Sequence, residues 1–182
     1  MGLSKYRGTR PAPARGRTTP GSHDMPESSP PRELSHVDAR GQARMVDVGE
    51  KPSTRRRAVA EGLVRISRQL AEQIAANTLA KGNLLEVARL AGVQAAKRTG
   101  DLIPLCHTLP VDFANVEARL DGDCVRLRAE VKCEAKTGVE MEALTAVAIA
   151  ALTVIDMGKA VDRHMVIEQI RLIEKTGGKS GT

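Results

Sequence analysis

Two runs of reactive side chains stand out. In Gly100-Asp101-Leu102-Ile103-Pro104-Leu105-Cys106-His107, a thiol and an imidazole closely follow a proline. In Lys136-Thr137-Gly138-Val139-Glu140-Met141-Glu142-Ala143-Leu144-Thr145-Ala146, two carboxylates open an alanine-rich stretch that later carries Asp156 and Lys159. An imidazole titrates near neutrality and serves as acid, base or phosphate partner. Asp, Glu and Lys add proton carriers and cations. Three cysteines and four histidines show no zinc spacing, so the set reads as a site without a metal.

Each residue also has a plainer explanation. A single histidine after a proline turn can be a hydrogen-bonded structural residue. Cys106 and His107 are neighbours in an extended segment, so they are expected on opposite sides of the backbone, and Cys106 reads as an inert buried thiol. Glu140 and Glu142 share a face in a strand but not in a helix, where carboxylates near the N-terminus favour the macrodipole. Asp156 and Lys159 stand at i and i+3 and can form an ordinary surface pair. Asp156 also continues the stripe of Thr145, Ile149 and Leu152, which predicts partial burial and a shifted pKa. Lys81 precedes Gly82, in a loop able to swing over a site. Gly178-Lys179-Ser180 imitates the end of a phosphate loop, but Ile173 stands where that loop needs glycine and no helix follows.

The elements that must carry these residues follow from periodicity. Residues 44–48 form a short strand or an ordered arm. A strand lies within Ala58–Ser67, and residues 68–80 are helical. Asn83 caps a second helix running to about Arg98. Residues 109–133 alternate through Phe113, Val116, Ala118 and Leu120, then Val125, Leu127, Ala129 and Val131, about an Asp121-Gly122-Asp123 turn: a β-hairpin. Residues 142–160 are the best helix, and Met165–Ile173 a last strand. The order β-α-α-β-β-α-β predicts an α+β, ferredoxin-like sandwich, an antiparallel sheet with helices packed on one face.

Composition sets the frame. Residues 1–40 are rich in Pro, Arg and Ser without apolar periodicity, and read as a disordered extension. Residues 41–175 are the foldable domain, and 176–182 a flexible Gly-rich tail. The net charge is +6, half of it in the first forty residues, which leaves the domain only mildly basic. No apolar run is expected to approach the ~18 residues of a membrane span. Three cysteines without a CxxC pair read as reduced thiols in the cytoplasm. With no Trp, one Tyr and one Phe, the core is thin and burial between subunits is expected.

Several long motifs, in order, resemble one family. They are Met45-Val46-Asp47-Val48, Lys81-Gly82, Gly92 to Thr99, Asp101 to His107, Lys136 to Thr145, Asp156-Met157, Lys159-Ala160 and Lys175 to Gly181. Together they are similar to the cyclic pyranopterin monophosphate synthases, the molybdenum-cofactor biosynthesis protein C family, over residues 33–181. The resemblance implies a lyase that converts (8S)-3′,8-cyclo-7,8-dihydroguanosine 5′-triphosphate to cyclic pyranopterin monophosphate and diphosphate. It implies a ferredoxin-like homohexamer, a trimer of dimers with sites at the dimer interface. Asp156, Lys159 and Lys81 are then catalytic. Leu105, Cys106, His107, Glu140, Met141 and Glu142 bind substrate, and Asp47, Arg56, Lys97 and Lys175 are further polar or phosphate-contacting positions. No cofactor, nucleic acid or membrane is implied. Gly100 and Thr108 depart from the family pattern without removing a proposed functional group.

Two other classes fit the bare residues. An RNA-binding module on such a sheet needs exposed aromatics for stacking, and the domain offers Phe113 alone. A regulatory ligand-binding oligomer fits fold and site equally, and turnover separates it from an enzyme.

Overall fold

The computed structural model describes residues 41–178. The expected N-terminal extension and residues 179–182 of the expected tail lie outside the described residues.

Strand β1 (Thr54–Arg65) leads into helices α1 (Arg68–Ala76), α2 (Leu84–Ala96) and the single turn α3 (Thr99–Leu102). A hairpin of β2 (Phe113–Asp121) and β3 (Cys124–Ala135) follows, then the long helix α4 (Glu140–Gly158) and β4 (Val166–Thr176). The sheet order is β2-β3-β1-β4, all antiparallel, which is the ferredoxin-like arrangement. Asn83 caps α2 as expected, its side chain accepting from the Glu86 amide at 3.0 Å. Helix α1 stops at Ala76, four residues short of the expected end, because Asn77 turns into the left-handed region at φ 51°. Residues 44–48, ahead of β1, form an arm and not a strand.

The hairpin pairs Asp121 with Cys124, so its loop is Gly122-Asp123. Gly122 takes φ +59° at the first loop position and Asp123 stays negative, the pattern of a II′ turn. Phe113 breaks the alternation expected of it. It lies on the face opposite Val116 and stays exposed, with the Lys132 ammonium 4.7 Å from its ring centre.

One sheet face is covered by helices. Ala58, Ala60 and Val64 of β1 and Val125, Leu127, Ala129 and Val131 of β3 are buried there against Ala143, Ala146, Val147, Ala150 and Val154 of α4. Small residues permit this close approach: a Cβ on Gly62 would lie 2.5 Å from a Val147 methyl. The other face is a lattice of charge. Arg57 donates to both Glu130 and Glu174, the two cross-strand neighbours of Val59, and this roof leaves Val59 fully buried on the open side.

Helix α4 corrects one expectation. It is 19 residues long with mean hydropathy 1.6, enough to cross a membrane by length and composition. Its apolar side packs on the sheet instead, and Glu140, Glu142 and Asp156 punctuate it.

Candidate functional site

The N-terminal end of α4 opens a cavity of about 440 Å³. Leu105, Cys106, His107, Glu140, Met141 and Glu142 all line it, so the two motifs singled out from the sequence meet in space. Cys106 and His107, expected on opposite sides of the backbone, both line it; they follow a turn at 104–105 that the Cys106 amide closes onto the Ile103 carbonyl at 3.0 Å. Glu140 and Glu142 share it too, although they stand in the first turn of a helix.

Their environments differ. Glu142 is 3 % exposed. Burial pushes its pKa up to about 7, opposed by its own backbone amide and reinforced by the Glu140 charge. Burial is the largest single influence on Glu140 and pushes upward, but the Lys175 ammonium at 2.9 Å, its own backbone amide and the Arg56 charge together hold its carboxyl below the ordinary range. The Cys106 thiol is raised by burial and then by Glu142. Cys133 is pushed up to about 11, chiefly by burial. All three cysteines are free, and thiols raised in this way are poor nucleophiles at neutral pH.

A second cavity of about 700 Å³ shares Lys51, Thr137, Gly138 and Glu140 with the first. Lys51, Arg56, Lys136 and Lys175 converge on it. Arg56 is steadied by the Ala135 carbonyl at 3.2 Å, and Lys136 donates to the Gly49 carbonyl at 2.5 Å. Gly177 and Gly178 complete the wall at φ +98° and +90°. A Cβ on the first would collide with the Arg55 carbonyl, and on the second with the Arg56 guanidinium. Four cations beside exposed backbone suit a polyphosphate.

Of the further polar positions, Arg56 and Lys175 line this cavity and Lys97 caps α2 outside both. Asp47 accepts from the Gly49 amide at 2.8 Å, shaping the arm whose Val46 and Val48 line the smaller cavity. Lys51 was missed, since nothing around it in sequence marks it. Lys136 stood inside a quoted motif without a role.

The third group sits at the far end of α4. Lys159 Nζ lies 2.7 Å from Asp156 Oδ1. Lys81 Nζ donates to Asp156 Oδ2 at 3.0 Å and to its carbonyl at 2.9 Å. The hydrogen bond from Lys159, then that from Lys81, lowers the Asp156 pKa to about 2. Partial burial of Asp156 is not found: its side chain is 57 % exposed. The stripe begun at buried Thr145 turns outward, and Leu152 is already 54 % exposed.

At a rise of ~1.5 Å per residue, Asp156 stands about 21 Å from Glu142 along the helix. One copy of the chain therefore keeps the lysine–aspartate cluster apart from the cavities. No group of three potential metal ligands forms among the described residues.

Comparison with known proteins bears on this layout. The chain is 57% identical over 152 residues to a cyclic pyranopterin monophosphate synthase of Thermomicrobium roseum, a match covering 82% of this chain and 92% of that one. It is 55% identical over 152 residues to the protein of the same name from Parvibaculum lavamentivorans, covering 82% and 95%. The corresponding values for that of Novosphingobium aromaticivorans are 53% over 150 residues, covering 82% and 96%. The family model described as the MoaC family matches residues 45–178, which take in the arm, both cavities and the lysine–aspartate cluster, and the chain belongs to that family.

Proposed function

We propose that this chain converts (8S)-3′,8-cyclo-7,8-dihydroguanosine 5′-triphosphate to cyclic pyranopterin monophosphate with release of diphosphate. The observation that carries this function is identity above one half, across 82% of this chain and more than nine-tenths of each relative, to proteins named for that synthase. The local chemistry is consistent with it. Rebuilding a purine-derived ring as a pterin and closing a cyclic phosphate need several proton transfers and a stabilised leaving group. Lys51, Arg56, Lys136 and Lys175 supply positive charge for the triphosphate. Glu142, titrating near 7, can carry a proton at neutral pH, while Asp156 stays ionised between two lysines. Leu105, Cys106, His107, Glu140, Met141 and Glu142 are assigned to substrate binding, and Asp156, Lys159 and Lys81 to catalysis.

A site spanning about 21 Å of one helix calls for a second copy. In an isologous pair, the lysine–aspartate end of one α4 can approach the cavity end of the other. We assign the active assembly as a homohexamer, a trimer of dimers with sites between paired subunits. We assign the working unit to residues 41–175 with the glycines that follow. The cytoplasm is the expected compartment, in keeping with three free thiols.

The test is direct. Pure protein incubated with the cyclic dihydroguanosine triphosphate should yield the pyranopterin and diphosphate, and should sediment at several times 19.5 kDa. Binding without turnover by folded oligomer would favour the regulatory alternative. An active monomer would remove the shared site.

A further inference from the structure

Asp162 is a buried carboxylate that none of the chemistry above uses. It is 6 % exposed and lies in the loop between α4 and β4. Its Oδ2 accepts from the Ser67 amide at 2.6 Å and its Oδ1 from the His164 amide at 2.9 Å. Its own amide donates to the Gly158 carbonyl at 3.0 Å, closing the last turn of α4. Burial alone would raise its pKa, but the His164 and Ser67 amides hold it below the ordinary range.

Ser67 is the N-cap of α1, its hydroxyl accepting from the Leu70 amide at 3.3 Å. In a capping box, the residue three after the cap reaches back to the cap's own amide. Here that residue is Leu70, which cannot. No acidic residue stands in the first turn of α1. Asp162 arrives from the end of α4 to fill both roles, satisfying the Ser67 amide and bringing negative charge to the helix N-terminus. The two elements also touch without clearance: a Cβ on Gly158 would lie 2.6 Å from Leu70 Cδ2.

These contacts close a ring. From Asp156 the chain runs through the last turn of α4 to Asp162. Asp162 grips Ser67, α1 runs on to the loop 77–83, and Lys81 of that loop returns to Asp156. We infer that Asp162 is a positioning residue for the Lys81–Asp156–Lys159 cluster, acting through α1 as a rigid spacer. The inference rests on the catalytic assignment of that cluster made above.

The experiment uses the full chain, with Asp162→Ala and the milder Asp162→Asn, which keeps one acceptor. Two quantities are read on each folded variant: hydrogen exchange over residues 77–83, and kcat and KM separately. Exchange over 77–83 should quicken, and kcat should fall about 10²-fold in the alanine variant, the scale of a misplaced catalytic group. KM should stay near wild type, because the cavities lie at the other end of α4. Asparagine should show the same pattern more weakly, and decides the matter if alanine does not fold. If exchange quickens only near residues 67–70, Asp162 is a local cap and the inference falls. If exchange over 77–83 quickens while kcat holds, the mechanical link stands and the catalytic assignment of the cluster falls.

Discussion

The two ends of α4 each carry a carboxylate in opposite circumstances. Glu142 is buried at the mouth of a cavity, and loss of water pushes its pKa to about 7. Asp156, fourteen residues on, lies in solvent between two ammonium groups that hold it near 2. One environment favours the acid and the other the anion. A single helix thus offers a proton carrier at one end and a permanent negative charge at the other. Their separation along the axis, not their chemistry, is what points to a partner copy.

The sharpest break is at the exposed end. Asp156→Asn should leave the melting temperature nearly unchanged, because an exposed ion pair contributes little to stability. It should lower turnover by about 10²-fold or more, the scale of a lost proton-transfer group. Near-normal turnover in the folded variant would reduce the cluster to surface pairing.

Next comes the relation between the ends. His107→Ala should also lose most turnover while keeping its melting temperature; a large drop in melting temperature with normal activity per folded molecule would make His107 structural. Subunits carrying Asp156→Asn, mixed and reassembled with equal amounts of His107→Ala subunits, should recover about a quarter of wild-type activity through mixed pairs. A mixture as inactive as its components would mean that one chain supplies the whole site.

The buried end can be read through pH. Glu142 titrates near 7 when folded, against about 4.3 in an unfolded chain. Between those values the folded state holds a proton that the unfolded state releases. Its contribution is therefore present below about 4.3 and lost as pH rises through 7, by at most about 4 kcal/mol. Glu142→Gln should flatten this slope in urea denaturation measured from pH 5 to 8. An unchanged slope would show that Glu142 titrates normally.

The smallest effect belongs to the pair between the cavities. Lys175→Met removes the ion pair to Glu140, whose members are 46 % and 27 % exposed, so stability should change by less than about 1 kcal/mol. Substrate affinity should weaken through the lost cation, seen as a rise in KM with kcat nearly held. A change confined to stability would remove Lys175 from the binding surface.

Much of this was legible in one dimension. Asn83, the Gly122 turn and the apolar spacing of 142–160 act over a few residues, and local chemistry suffices to mark a cap, a hairpin and a core helix. The reactive residues were visible as types. Their surroundings were not: Cys106 and His107 line one cavity although opposite sides of the backbone were expected, and Asp156 lies exposed where its stripe predicted cover. Lys51 gave no signal, because it reaches the cavities only through an arm held by Lys136. Asp162 gave none either, since the Ser67 amide it holds is 95 positions away.

Apart from the single turn α3, the sequence by itself determined the element order, the ferredoxin-like architecture and the inventory of proton carriers, because these depend on periodicity and side-chain type. Tertiary structure alone decided which carboxylate is dry and which is wet, and that the two reactive groups stand at opposite ends of one rigid helix. Burial and distance are properties of contacts between remote segments, and pKa follows from them.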